Sequence, residues 1–358
     1  MKYEFPVTKT TTPKQKPDPN DLPFGKYFTD HMFVMEYDAG QGWHDGRIVP
    51  YEPLVLDPAA LVFHYGQEMF EGLKAYKNVK NGRVQLFRPD MNAKRTSRTN
   101  DRLCIPPIDE DLYVDAVKAV VAVDADWIPE VKDTSLYIRP FIIATEPYLG
   151  IRNSSKFLFV IILSPSGPYY PNGLEPTRLY VEDTFVRAVK GGTGEAKCGG
   201  NYACGLKAQI IAHDKGYEQI LWLDGKEQKY VEEVGTSNAF FVIDNEVITA
   251  PLGGTILPGI TRDSCLRVLR SRGFKVSERL LSIDAIVEAY DQGKFTEMFA
   301  SGTAAIISPV GELKYKEKEM IINERKIGPV AQMLYDTIYG TQIGQIEDEF
   351  GWVVPVTE

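Results

Sequence analysis

The 358-residue chain is poor in the side chains that staple or metallate small folds, with four cysteines and four histidines. Cys104, Cys198, Cys204 and Cys265 are scattered and none forms a CxxC pair. That argues against a disulfide framework, a zinc ribbon or a thioredoxin-like site. His31, His44, His64 and His213 offer no HxxxH or similar ligand pair, so each reads as a core or surface histidine and no metal is expected. Positive charge is not in excess: 40 basic residues face 49 acidic ones, a net charge of −9. A nucleic-acid partner is therefore not expected, because phosphate neutralisation needs a basic surface. A local basic pocket for a small anion stays open. Long apolar runs are also missing. Phe157 to Leu163 is the longest strongly apolar stretch, far too short to cross a bilayer, and the N-terminal 25 residues lack the apolar core of a secretory signal. The expectation is a soluble protein of a reducing, cytoplasmic compartment, with no membrane partner. At 44% hydrophobic and 25% charged residues, long disorder is excluded as well.

The length suggests two to three domains. Residues 1–27, rich in Pro, Lys and Thr, read as an extended arm. Residues 28–163 form a first α/β domain with strand-like segments HMFVMEYD, GRIVPYEPLVL and RVQLFRP. Leu112 to Asp126 reads as a helix with Val114, Val117, Val120 and Val121 on one face. SLYIRPFIIATEP (135–147) and KFLFVIILSP (156–165) read as strands, the second buried on both faces. Residues 164–177 hold four prolines and two glycines, the expected linker. Residues 178–358 form a second α/β domain. Its helices are expected at Ala203–Lys215 (Leu206, Ile210 and Ile211 on one stripe), Thr261–Arg272, Ser282–Tyr290 and Val330–Tyr339. The fold class is mixed α/β in two domains, with the site expected in the cleft between them.

Several stretches could carry chemistry. In KGGTGEAKCGGNY (190–202), five glycines bracket Lys197. Glycine lets a backbone turn sharply and a flat ligand approach closely, yet the window fits neither GxxxxGK[ST] nor GxGxxG. A surface loop with a solvated lysine is its plainer reading. In YVEEVGTSN, alternation would turn one of Glu232 and Glu233 to solvent and the other inward, where it needs a partner. In ILPGITRDS, Ile260, Thr261 and Arg262 open a helix whose first-turn amides could seat a phosphate. The Ser-Gly-Thr-Ala turn at 301–304 could cradle an anion through its amides and the Thr303 hydroxyl. Arg95, Arg98 and Arg102 share a helix face, and Arg139 interrupts an apolar strand, where it is either paired or lines a pocket for a carboxylate. Each stretch has an ordinary structural reading. Together they supply an amine for a Schiff base, a carboxylate for a ring nitrogen and a phosphate seat, which is what pyridoxal phosphate requires.

Seven blocks in order carry a resemblance: HYGQEMFEGLKAY (64–76), LFRPDMNAKR (86–95), SLYIRPFIIATEPYLGI (135–151), AKCGGNY (196–202), EEVGTSN (232–238), ILPGITRDS (256–264) and ASGTA (300–304). The chain closely resembles the branched-chain amino acid aminotransferases of pyridoxal-phosphate fold type IV from about residue 28 onward. The resemblance implies a homodimer that exchanges the amino group between L-leucine, L-isoleucine or L-valine and 2-oxoglutarate. It implies Lys197 as the catalytic Schiff-base lysine, Glu233 at the pyridine nitrogen and Tyr202 at the phenolic oxygen. Arg95, Ile260, Thr261 and Thr303 would hold the phosphate, with Thr236 and Leu257 also at the cofactor. Tyr65, Phe70, Tyr137 and Ile151 would wall the substrate pocket, Ile151 lent by a second subunit. Thr236, Thr303 and Ala304 would sit near the substrate carboxylate, and Arg139 would take the side-chain carboxylate of glutamate. D-amino acid aminotransferases and aminodeoxychorismate lyases share the fold and are the nearest rivals. Some animal relatives carry a CxxC after the SGTA turn; here Ala305 and Ser308 stand there, so no thiol switch is expected.

Overall fold

The computed structural model describes residues 1–168 and 174–357. The chain forms two compact units: Met1–Tyr169 with Ala196–Gly199 and Thr341–Glu358, and Tyr170–Glu195 with Gly200–Gly340. This differs from the expected division in two places. The four residues around Lys197 group with the first unit, as does the C-terminal stretch. Hydrogen bonds explain the difference, since each segment is tied to strands of the first unit rather than held by its sequence neighbours. In the expected linker, Ser164–Ser166 continue a strand, and residues 169–173 lie outside the described residues.

Among the described residues the first unit is built on an eight-stranded sheet. Its strands are β1 (His31–Asp38), β2 (Gly42–Pro50), β3 (Glu68–Phe70), β4 (Leu73–Lys77), β5 (Val84–Phe87), β6 (Ser135–Ala144), β7 (Lys156–Ser166) and a closing strand, Val353–Pro355. Every pairing is antiparallel, with β6 bonded to β3, β4 and β7. Three helices accompany it: α1 (Leu61–Tyr65), α2 (Pro89–Leu103) and α3 (Glu110–Val123). Asp109 caps α3 by accepting the Leu112 amide at 3.0 Å. Val117, Val120 and Val121 are fully buried from this helix against Phe33, Phe159 and Leu136. The arm is pinned to this unit: the Tyr3 amide donates to Asp115 at 2.9 Å, and Val7 bridges Ile48.

Lys74 of β4 stands opposite Tyr137 of β6 and is buried, which pushes its ammonium down to about 8. Below that pH the folded and unfolded chains both carry the charge, and the burial penalty acts in full. As pH rises from about 8 to the ordinary 10.5, the folded chain loses the proton first, so stability rises across that window. Lys74→Met is expected to flatten the rise; urea unfolding over the same window measures it, and an unchanged pH slope would reject it.

The second unit carries a nine-stranded sheet among the described residues: β8 (Thr177–Glu182), β9 (Gln219–Leu223), β10 (Val231–Val234), β11 (Ser237–Ile243), β12 (Glu246–Thr249), β13 (Lys275–Glu278), β14 (Phe295–Gly302), β15 (Ile306–Tyr315) and β16 (Lys318–Ile321). The order β10-β9-β8-β15-β14-β11 is closed by a further β10–β11 pairing. Six strands thus form a barrel-like ring, which removes two sheet edges. Its helices are α4 (Gly200–Ala203), α5 (Leu206–Asp214), α6 (Ile260–Ser271), α7 (Ile283–Asp291) and α8 (Pro329–Gln342). No helix among the described residues is long and apolar enough to cross a membrane. The stripe expected for α5 is corrected: Leu206 and Ile210 are exposed, and Ala208 and Ala212 face Ile220 and Trp222 instead. Small side chains let this helix lie close to the sheet, so the alanine face wins over the larger apolar one.

Candidate active site

In the first unit, Lys197 is held by its backbone. Its amide donates to the Thr99 hydroxyl of α2 at 3.2 Å, and its carbonyl accepts the Phe70 amide of β3 at 3.0 Å. Two residues on, the Gly199 amide donates to the Glu68 carboxylate. A Cβ at Gly199 would lie 2.7 Å from that carboxylate, so a larger residue there would push the Glu68 side chain back. Burial pushes the Glu68 carboxyl up, against the pull of the Gly199 amide. The Lys197 ammonium lies 4.7 Å from the Phe70 ring centre, within cation–π range. Lys197 is half-buried and its segment is clamped by three bonds, which the solvated-loop reading does not require.

Of the three arginines on α2, Arg95 alone turns inward; Arg98 and Arg102 are exposed. Its Nε and Nη2 donate to the two oxygens of Glu71 at 2.7 and 2.8 Å. Arg139 lies over Phe70, with its guanidinium carbon 4.7 Å from the ring centre, and donates to the Tyr137 hydroxyl at 3.1 Å. Its Nε is buried without a partner among the described residues, an orphaned donor of the kind a carboxylate satisfies. Tyr65, at the end of α1, donates through its hydroxyl to the Leu149 carbonyl. Ile151 does not join these groups: it is 86% exposed.

In the second unit, Glu233 of β10 is 1% exposed. It receives Arg187 Nε at 2.8 Å, the Leu257 amide at 2.9 Å and Asn238 Nδ2 at 3.3 Å. Asn238 stands directly opposite Glu233 in the β10–β11 closure and also donates to the Leu257 carbonyl at 3.0 Å. Leu257 thus acts here through its backbone. The expectation that one of the two glutamates faces solvent is corrected, because Glu232 is buried too and accepts the Thr255 hydroxyl at 2.5 Å. Barrel closure covers both faces of β10. Burial raises the Glu232 carboxyl, opposed by Thr255 and Arg187.

Three turns of the second unit hold the remaining expected residues. Thr236 is exposed in the two-residue turn between β10 and β11. Thr303 and Ala304 lie between β14 and β15. Asn238 pairs with Ser301, so antiparallel register puts both turns at one end of the sheet. Ile306 closes the second turn at φ 64°, a strained conformation for a β-branched residue. Ile260 and Thr261 open α6 after Gly259, where first-turn amides have no intrahelical acceptor. Tyr202 sits half-buried on α4. Glu71, Thr99, Arg187 and Asn238 were missed as site residues. Glu71 and Asn238 lie within FEGLKAY and EEVGTSN, and in the first an acidic residue after an aromatic one signals a buried charge; Thr99 and Arg187 carry no sequence signal.

The Amino-transferase class IV family model matches residues 68–313. Branched-chain-amino-acid aminotransferase 2 of Bacillus subtilis is 55% identical over 99% of this chain and 98% of its own length. Branched-chain-amino-acid transaminase 1 of the same organism is 52% identical over 97% and 98%. Among solved structures, the Escherichia coli branched-chain amino acid aminotransferase matches with a TM-score of 0.77, 27% identity and coverage of 91% and 99%. The branched-chain aminotransferase from Thermoproteus uzoniensis, solved with norvaline, matches with a TM-score of 0.75, 25% identity and coverage of 91% and 99%. The chain belongs to the class IV aminotransferases and, within them, to the branched-chain-amino-acid aminotransferases.

Proposed function

We propose that this chain transfers the amino group reversibly between L-leucine, L-isoleucine or L-valine and 2-oxoglutarate, with pyridoxal phosphate on Lys197. The full-length likeness to branched-chain aminotransferases carries the reading. The residues suit the cofactor on chemical grounds: a clamped amine over an aromatic ring, a buried carboxylate with fixed partners, one inward arginine, and the first-turn amides of α6. Pyridoxal phosphate, when bound, supplies an electron-withdrawing ring. Lys197 would hold the cofactor through its amine, and the same amine would move the proton at the substrate Cα. Glu233 would hold a proton on the pyridine nitrogen, and Tyr202 would donate to the ring oxygen. Arg95, the Ile260 and Thr261 amides and Thr303 hold the phosphate, with Thr236 and Leu257 beside the ring.

Phe70, Tyr65 and Tyr137 give the substrate side chain an apolar wall. Arg139, whose Nε is the orphaned donor, takes the second carboxylate of glutamate; Thr236, Thr303 and Ala304 lie near the first. Ile151 completes the wall of a second copy in a homodimer. In support, Val55, Phe63, Leu149 and Ile151 are strongly exposed on segments joined by the Ala60–Pro147 bridge, and such an apolar patch asks for cover. Four cysteines outside any disulfide suit a reducing cytoplasm.

Borohydride reduction and peptide mapping are expected to place the label on Lys197; a label elsewhere, or none, would reject the assignment. L-leucine is expected to outpace D-alanine with 2-oxoglutarate as acceptor. The reverse preference would favour a D-amino acid aminotransferase, and pyruvate release from aminodeoxychorismate would favour the lyase.

A further inference from the structure

Residues 145–156 join β6 to β7 as a compact surface loop whose ends meet, the Thr145 amide donating to the Lys156 carbonyl at 2.9 Å. Both of its stems are bonded. On the outgoing side, the Glu146 carbonyl accepts the Leu61 amide at 3.0 Å, and the Tyr148 amide donates to the Ala59 carbonyl at 3.0 Å. On the returning side, Gln67 accepts the Ser154 amide at 3.2 Å and donates through Nε2 to Asn153 Oδ1 at 2.5 Å. One ion pair then closes the loop on itself. Arg152 Nη2 donates to Glu146 Oε1, while Oε2 of the buried Glu146 accepts the Ser155 amide at 2.7 Å. The Arg152 guanidinium carbon also lies 4.1 Å from the Tyr148 ring centre, within cation–π range. The same ring packs against the tip: a Cβ at Gly150 would lie 2.4 Å from Tyr148 Cε1, so a larger residue there would push the ring away.

What this scaffold holds up is apolar. Leu149 is 64% exposed and Ile151 86%, and the Tyr65 hydroxyl fixes the Leu149 carbonyl. Ordering a loop on contact subtracts from affinity, so a tip that is already shaped binds better. We infer that Arg152 and Glu146 are positioning residues: their ion pair, braced by the Tyr148 ring, holds residues 147–151 in one shape, so that Ile151 meets the branched side chain of leucine in a second copy's pocket without that ordering cost. The inference rests on the reading above in which Ile151 completes the wall of a second copy. Neither Arg152 nor Glu146 is placed at the substrate. Their effect is carried by Ile151, the chain neighbour of Arg152, and by the backbone between the two charges. The Arg152 side chain is half open to solvent, so the pair adds little to global stability. It sets shape instead, because it ties the two stems together across the tip. Glutamate is held in the same reading by Arg139, a charged contact that does not run through this loop. The two amino donors therefore depend on the loop unequally.

The test compares two half-reactions of the cofactor-loaded enzyme, one with L-leucine and one with L-glutamate, each followed by absorbance. Arg152→Gln stays polar and removes the charge. Its kcat/KM for L-leucine is expected to fall about tenfold, through weaker binding and not a slower maximal rate, while that for L-glutamate stays within about twofold; this is the scale of one or two side chains ordered on contact. Equal losses for both substrates, a larger loss with L-glutamate, or no loss at all would overturn the inference. Should Arg152→Gln fail to fold, Gly150→Ala decides, since it pushes on the Tyr148 ring without touching a charge: the same selective loss supports the inference and wild-type selectivity overturns it. Ile151→Ala separates the inference from the reading beneath it. Wild-type preference for leucine in Ile151→Ala sinks the reading that Ile151 walls a pocket, and the inference with it. A loss of that preference in Ile151→Ala beside an unaffected Arg152→Gln enzyme sinks only the role of Arg152 and Glu146.

Discussion

Arg187→Leu is expected to destabilise the folded chain by about 3–5 kcal/mol, the range for stripping one partner from a buried ion pair. Arg187 is 9% exposed. Besides Glu233, it donates to the Thr255 carbonyl at 2.6 Å and to the Gly194 carbonyl at 3.2 Å. Its loss would strand a carboxylate and leave two backbone acceptors unmet. Leucine fills the space of the stem, so the cost is mainly electrostatic. Urea unfolding of both forms measures it, and a loss below about 1 kcal/mol, the scale of an exposed pair, would show that Glu233 finds other partners. Under the proposed function the same substitution should loosen cofactor binding, because Glu233 would lose the guanidinium that fixes its carboxylate.

Lys197→Ala is expected to lower turnover by about 10²–10⁴-fold from the loss of proton transfer alone, and to abolish borohydride labelling. Folding should survive. The three bonds that clamp this segment use the Lys197 amide and carbonyl and the Gly199 amide, and alanine retains all of them. Circular dichroism and gel filtration check the fold, while single-turnover kinetics with L-leucine check the chemistry. A variant with near wild-type turnover would remove Lys197 from its assigned place.

Much of this site is legible in the sequence because its chemistry is concentrated in short blocks. Glycines around Lys197, the Pro258–Gly259 turn before α6 and the Ser-Gly-Thr-Ala turn announce backbone that must approach something closely. Helix α3 is legible through its valine spacing, while its start at the Asp109 cap is set by the structure. Elsewhere local pattern misleads. Alternation misread Glu232, because a ring of strands has no solvent face at β10. Apolar periodicity misread α5, because packing distance selected Ala208 and Ala212 over Leu206 and Ile210. Nothing in the sequence tied Arg187 to Glu233, which are brought together by a loop and a strand with no common period.

By itself, then, the sequence determined the residue types at the site, the helices with strong spacing, and a family likeness strong enough to imply the reaction. It left open which arginine of the α2 row turns inward, since spacing puts Arg95, Arg98 and Arg102 on one helix face. Tertiary structure alone decided which charges meet: Glu71 with Arg95, Glu233 with Arg187 and Leu257, and Lys197 with the first unit's strands. The physical reason is that a buried charge is tolerable only beside its partner. Strand pairing across long stretches of chain makes those partners neighbours, and no local spacing encodes that pairing.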